Sequence, residues 1–318
     1  MQANNIVVLG TGGTIAGTAA RAGDNVGYQA AQLGVQALLD AVQGLAQAAC
    51  GPLLAEQVAQ VDSKDMDADV WRALAARCAA LLADARVRGI VITHGTDTLE
   101  ETAWFLHSVL AARKPVVLTC AMRPATALAP DGPQNLRDAV AVAAAPGVQG
   151  VLVVAAGTVH GAREVQKVHP YRVDAFGSGD AGPLGWVEEG TVRWARNMPP
   201  ALCQQALAAM ESVVRERAWP RVDIVFSHAG ADGAIVDALV ASGTQGIVVA
   251  ATGNGTLHHA LQAALKRAQA AGVLVRVASR CPLGQVLPRP DSPFPDAGGL
   301  SPVKARVALL LELLARQP

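Results

Sequence analysis

The sequence predicts an α/β chain of two doubly wound domains. The larger, N-terminal one is built on a mostly parallel sheet, and the smaller, C-terminal one on a parallel sheet. Three observations carry this. Short runs of aliphatic, largely β-branched residues recur along the chain, each stopped by glycine or a polar turn, as buried parallel strands are. Stretches with apolar residues at helical spacing alternate with them. The 318 residues, 51% of them hydrophobic, suffice for two cores. The boundaries read as a domain over 1–190, a linker over 191–220 marked by Pro199, Pro200 and Pro220, and a second domain over 221–318.

The first strand is Ile6 to Leu9, and the chain is organised around the loop at its end, Gly10-Thr-Gly-Gly-Thr-Ile-Ala-Gly17. Three glycines in four positions let the backbone reach positive φ and come close to a ligand. A dinucleotide fingerprint would need glycine at position 15, which is Ile15, and no Gly-Lys-Ser/Thr comes after it, so the loop is a poor phosphate cradle. What remains is the Thr14 hydroxyl beside bare backbone N–H groups. That suits a nucleophile next to an oxyanion site, and equally a tight turn with buried threonines.

A polar, glycine-bearing loop over 18–27 leads to Tyr28, either a half-buried anchor or a phenol carried to Thr14 on loop closure. Gly34 to Leu45 has helical spacing, and Gln57 to Val61 reads as a short strand ending at Asp62-Ser63-Lys64. A helix spans Asp69 to Ala83. Ile90 to Thr93 is the next strand, continued by His94-Gly-Thr-Asp-Thr98 and a helix whose Glu100 and Glu101 suit the positive end of its dipole. A second strand–turn–helix thus delivers Thr96 and Asp97 to the same end of the sheet. Pro115 to Cys120 and Val151 to Ala156 continue it, with a helix after Asn135 between them. A polar, glycine-rich stretch containing Lys167 runs on to Gly185. A helix over Leu202 to Arg217 lies in the linker. The second domain then reads strand 222–226, helix 235–241, strand 246–250, helix 257–270, strand 273–278 and a last helix, 303–315, opened by Ser301-Pro302.

Composition narrows the partners. Lys plus Arg and Asp plus Glu are 26 each, and no basic stripe stands out, which argues against nucleic acid and anionic membranes. The longest apolar stretch, 139–159, is interrupted by Pro146, Gly147, Gly150 and Gly157, and Met1 to Asn5 does not begin a signal peptide. Cys50, Cys78, Cys120, Cys203 and Cys281 are odd in number and lack CxxC spacing. They read as small buried apolar residues in a reducing cytoplasm. No His or Cys spacing suggests a metal, and the adjacent His258 and His259 do not face one ligand.

Thr11-Gly-Gly-Thr-Ile-Ala-Gly17 and Thr93-His-Gly-Thr-Asp-Thr98 resemble the two signatures of the bacterial-type L-asparaginases, and the likeness extends over essentially the whole chain. The resemblance implies hydrolysis of L-asparagine to L-aspartate and ammonia without a cofactor, with some glutaminase activity. It implies Thr14 as nucleophile, Tyr28 on a closing lid, and a Thr96–Asp97–Lys167 proton relay. Backbone N–H groups near Gly13 and Thr96 would hold the oxyanion. Ser63 would bind the substrate's α-carboxylate and Asp97 its α-ammonium. It also implies a homotetramer of intimate dimers in which Asp291 reaches a neighbour's site. Lys64 and Thr256 depart from the pattern, where glutamine and asparagine are usual. The rivals are a glutamine-directed amidohydrolase, a subunit of a transamidation complex, and a non-catalytic amino-acid sensor. A sensor has no need of the five residues Thr14, Tyr28, Thr96, Asp97 and Lys167 together.

Overall fold

The computed structural model of the chain describes residues 5–21, 23–198, 204–215, 218–290 and 292–317. They form two compact units, 1–210 and 211–318.

In the first unit β1 (Asn5–Gly12) is succeeded by α1 (Val35–Asp40), α2 (Leu45–Ala49), β2 (Leu53–Val61) and α3 (Ala68–Ala83). Next come β3 (Val87–Thr93), α4 (Leu99–Val109), β4 (Pro115–Thr119), α5 (Gly132–Ala144) and β5 (Gly150–Ala155). Four short strands come after them: β6 (Thr158–Gly161) and β7 (Gln166–Lys167), then β8 (Phe176–Gly177) and β9 (Gly185–Glu188). β10 (Thr191–Trp194) is last. One eight-stranded sheet runs β10-β9-β6-β5-β4-β3-β1-β2. Its β2-β1-β3-β4-β5 part is parallel; β6, β9 and β10 extend it antiparallel. Strand order reverses at β1, so the crevice outside the carboxyl ends of β1 and β3 is where such a sheet binds ligands. Both faces are covered. Ile6, Val8, Val91, Val117, Leu152 and Val154 pack with the apolar sides of α1, α2 and α5. On α3 and α4, Trp71 and Phe105 stack with centroids 4.7 Å apart.

Several sequence expectations shift. The single helix over 34–45 is two short ones, because Gly44 sits at φ 79° and turns the chain. The strand expected at 57–61 begins at Leu53. As an edge strand it mixes exposed and covered residues and lacks a continuous apolar run. The expected linker over 191–220 begins inside the first sheet, since Thr191–Trp194 pairs antiparallel with β9. This strand is mostly exposed and alternates polar with apolar residues over only four positions, so no apolar run marks it. The boundary between compact units falls within α6 (Gln204–Arg215) instead.

In the second unit, β11 (Val222–Phe226), α7 (Ala234–Ala241), β12 (Gly246–Ala251), α8 (His259–Ala270), β13 (Leu274–Ser279) and α9 (Pro302–Leu314) occur in that order. The sheet is parallel, β11-β12-β13. Ile247, Val249 and Ala251 pack toward Val236 of α7 and Leu261, Ala264 and Leu265 of α8. The opposite face takes α9: a Cβ on Gly246 would lie 2.9 Å from Leu309. Cys78 and Cys120 are buried, but Cys50 and Cys281 are exposed free thiols, contrary to the expectation of buried cysteines. Both stand on turns outside the sheets, where no core claims them. Cys203 lies outside the described residues. Among the described residues no helix is long and apolar enough to cross a membrane.

One buried side chain ties the sheet ends together. Asn135 donates to the Cys120 carbonyl (3.0 Å) and to Asp131 Oδ2 (3.3 Å), and accepts the Ala156 N–H (2.9 Å). Asp131 in turn accepts the N–H groups of Met122 and Arg123. Asn135→Ala leaves a buried carbonyl and N–H unpaired. It is expected to cost about 3 kcal/mol, read as a lower urea midpoint at unchanged slope.

Candidate active site

The loop after β1 is shaped by its glycines. Gly12 and Gly13 hold φ of 102° and 80°, and Thr14–Ala16 close a single 3₁₀ turn. Gly13 is also a contact point. A Cβ there would lie 2.3 Å from Gly95 Cα, and a Cβ on Gly95 would lie 2.4 Å from Ser63 Oγ. Bare backbone at both positions therefore lets the loop after β1, the loop after β3 and the turn after β2 stack directly on one another.

The backbone of Gly13 is occupied, however. Its N–H donates to the Val61 carbonyl (3.0 Å), and its carbonyl accepts from Ala16 and Ala31. This bond closes the register irregularity between β1 and β2, so an oxyanion donor from the backbone near Gly13 would be a neighbouring N–H and not that of Gly13 itself.

Thr14 is buried, and its Oγ1 lies 2.7 Å from the Tyr28 phenol oxygen. Tyr28 arrives there because the loop is pinned at its root. Thr18 and Gln29 exchange both backbone hydrogen bonds at 2.9 Å, Ala125 N–H donates to the Gly17 carbonyl, and Ala19 N–H donates to Thr126 Oγ1 at 2.8 Å. Within the loop Asp24 accepts the N–H groups of Gly27 and Val26. These bonds hold its carboxyl below the usual carboxylate range.

Thr96 is buried on the second loop. Lys167 Nζ donates to Thr96 Oγ1 at 2.8 Å and to Asp97 Oδ1 at 2.6 Å. The lysine side chain is only 18% exposed, whereas that of Asp97 is 53% exposed and can reach a ligand. The Thr96 oxygen accepts from the ammonium, and its own proton is donated to Asp97 Oδ1 in a long bond of 3.4 Å that a substrate atom or water can displace. Lys167 stands on β7, a two-residue strand paired antiparallel with β8. Sequence periodicity carries no signal for so short an element. Glu100, read from sequence as a helix-dipole acid, accepts the Lys167 backbone N–H at 3.1 Å.

Ser63 is buried at the head of the turn after β2. Its Oγ accepts the Asp97 N–H (3.2 Å), and its carbonyl accepts the Thr98 hydroxyl (2.8 Å). The Ser63 proton remains free to be donated to a carboxylate. Lys64 points away from this group, bonded to Asp62 at 2.5 Å and Asp65 at 3.3 Å on the surface. In the second unit the Gly253-Asn254-Gly255 turn is a clamp. Thr252 and Thr256 exchange backbone bonds and touch through their hydroxyls at 2.8 Å, while Asn254 Oδ1 accepts the Leu287 N–H at 2.7 Å. Asp291 lies outside the described residues. Among them no group of three His, Cys, Asp or Glu is placed to hold a metal ion.

His94 supports the second loop from beneath. Its Nδ1 lies 2.7 Å from the Gly95 carbonyl, so Nδ1 carries the proton and the buried Nε2 is bare. Burial lowers its pKa from 6.5 to about 4, against the raising pull of the carbonyl. The neutral ring is therefore the folded form. Its contribution to stability is complete above pH 6.5 and is lost as pH falls toward 4. Between pH 7 and pH 5 the wild type is expected to lose about 2 kcal/mol more than His94→Asn, measured by urea unfolding at each pH.

Comparison with known proteins identifies the family. The family model described as Asparaginase, N-terminal matches residues 5–200, and the Glutaminase/Asparaginase C-terminal domain matches residues 221–317. L-asparaginase 2 of Escherichia coli is 39% identical over 97% of this chain and 88% of its own length. Glutaminase-asparaginase of Pseudomonas fluorescens is 36% identical over 98% and 87%. The crystal structure of a probable cytoplasmic L-asparaginase from Campylobacter jejuni superposes with a TM-score of 0.90 at 38% identity, covering 97% of this chain and 94% of that one. With both family domains matched in order and relatives aligned nearly end to end, the chain belongs to the asparaginase family.

Proposed function

We propose that this chain hydrolyses L-asparagine to L-aspartate and ammonia, with L-glutamine as a lesser substrate. The observation that carries the reading is the pairing of two hydroxyl centres on adjacent loops: Thr14 against the Tyr28 phenol, and Thr96 against the Lys167 ammonium. Thr14 Oγ attacks the side-chain amide carbon. Its proton passes through the Tyr28 hydroxyl, which accepts it while giving up its own, and ends on the leaving nitrogen, released as ammonia. Water then attacks the acyl ester, restoring the Thr14 hydroxyl and freeing the carboxylate. Thr96, oriented by Lys167, serves the attacking water. Ser63 donates to the α-carboxylate, and the exposed edge of Asp97 takes the α-ammonium.

Relatives named L-asparaginase and glutaminase-asparaginase support the amide specificity and its breadth. A homotetramer, with Asp291 lent to a neighbour's site, rests on the resemblance. Phe226 and Ile235, large apolar side chains exposed on the second unit, fit a face that another copy covers. The test is a solution mass of four times the 32.6 kDa chain. A cytoplasmic location accords with the unpaired, exposed Cys50 and Cys281 and with the Campylobacter jejuni neighbour, whereas a Haemophilus influenzae relative is named periplasmic. Cell fractionation decides it.

The activity is tested by ammonia release from L-asparagine and, in parallel, L-glutamine. Turnover of asparagine above glutamine is expected. Binding of either amino acid without turnover would replace the enzyme with a sensor.

A further inference from the structure

We propose that Glu100 is a positioning residue for Lys167, so that one short stretch of chain holds this lysine at both ends. The inference rests on the reading of Lys167 given above. The ammonium end is bonded to Thr96 and Asp97 at 2.8 and 2.6 Å. The backbone end is bonded to Glu100, whose Oε1 accepts the Lys167 N–H at 3.1 Å. Thr96, Asp97 and Glu100 lie within five consecutive residues, on the loop after β3 and the first turn of α4. The lysine comes from 67 residues further on.

The topology explains why such an anchor is needed. β7 contributes only two residues to a two-stranded ribbon with β8, separate from the eight-stranded sheet. Val168 N–H donates to the Ala175 carbonyl at 2.7 Å within the ribbon. The neighbouring N–H, that of Lys167, points out of the ribbon's other edge and ends on Glu100. An isolated two-stranded ribbon is marginal in water. Without an outside anchor its backbone drifts, and the four-carbon stem of lysine spreads that drift over the position of Nζ. Glu100 fixes the root of the stem relative to the same loop that its tip must serve.

A helix-dipole role for Glu100 and a positioning role separate cleanly by substitution. Glu100→Gln keeps an acceptor oxygen and loses the charge; Glu100→Ala loses both. Positioning predicts that Glu100→Ala lowers kcat on L-asparagine by about 10- to 100-fold with KM nearly unchanged, since about an ångström of misplacement can cost that much. Glu100→Gln then restores most of the rate, and Glu100→Ala placed on Lys167→Met costs nothing further. Melting temperatures of all variants are recorded so that lost folding is not read as lost rate. A full rate in folded Glu100→Ala overturns the proposal, as does equal loss in the Gln and Ala variants, or additive loss on Lys167→Met. If Lys167→Met itself keeps the wild-type kcat, the reading of Lys167 fails and takes this inference with it. If Lys167→Met is crippled while Glu100→Ala is not, only the inference fails.

Discussion

Thr14→Ala is expected to lower kcat for ammonia release from L-asparagine by about 10⁴-fold or more, because in the proposed mechanism it removes the nucleophile, and losing one member of a unit that acts together forfeits nearly all the chemistry of that unit. The substitution takes away one hydroxyl that touches the Tyr28 phenol, and it sits in a turn whose shape is set by Gly12 and Gly13. The fold should survive, so the melting temperature should stay near that of the wild type. Binding of L-aspartate, measured by calorimetry, should persist, since Ser63 and Asp97 are untouched. Thr14→Ser keeps an oxygen at the reacting position and should retain part of the rate. An alanine variant that still turns over at near the wild-type rate would remove Thr14 from its central place and shift the nucleophile to a water held by Thr96.

Lys167→Met is the second large effect. Methionine keeps the length and the apolar stem and deletes the ammonium. That leaves Thr96 without its donor and Asp97 without its counter-charge, in a group where the lysine side chain is mostly covered. Loss of a positioned proton-handling group is worth about 10²- to 10⁴-fold, and kcat is expected to fall within that range. KM should change as well, because the freed Asp97 carboxylate meets the substrate's α-ammonium with its full charge. Lys167→Arg should not rescue. The guanidinium is bulkier than the ammonium, its donors point in fixed in-plane directions, and the site it would have to enter is mostly covered. Steady-state kinetics of the three proteins side by side checks both statements.

The residues legible in the sequence were those whose chemistry is written locally. Thr14, Thr96 and Asp97 come after apolar runs and glycines within a few residues, and a strand that ends in such a loop has few other readings. The central parallel strands were legible for the same reason: burial on both faces demands an unbroken apolar run. The antiparallel extension, β6, β9 and β10, was not. Short edge strands are free to be polar, and Thr191–Trp194 looks like linker until its partner is known. Lys167 is legible only through resemblance, because a two-residue strand has no period. The bond from Glu100 to Lys167 and that from Gly13 to Val61 were invisible for a different reason. Each joins positions far apart in sequence through a backbone group, and a backbone group has no letter of its own.

The pairing of β1 with both β2 and β3 also dictates the order in which the molecule is made. β1 leaves the ribosome ahead of both its partners: it has no neighbour until Leu53–Val61 is made, and none on its other side until Val87–Thr93 has emerged. During that interval, at about 5 to 20 residues per second, an apolar strand waits for several seconds with its hydrogen-bonding edges bare. Non-local parallel pairing of this kind forms slowly. The loop after β1 therefore takes shape only once Gly95 is available to stack on Gly13, and the lysine that donates to Thr96 is synthesised some seventy residues later still. The nascent chain thus passes first through a stage in which β1 is exposed along both edges, and then through one in which the loop after β1 is seated while Lys167 is still to be made.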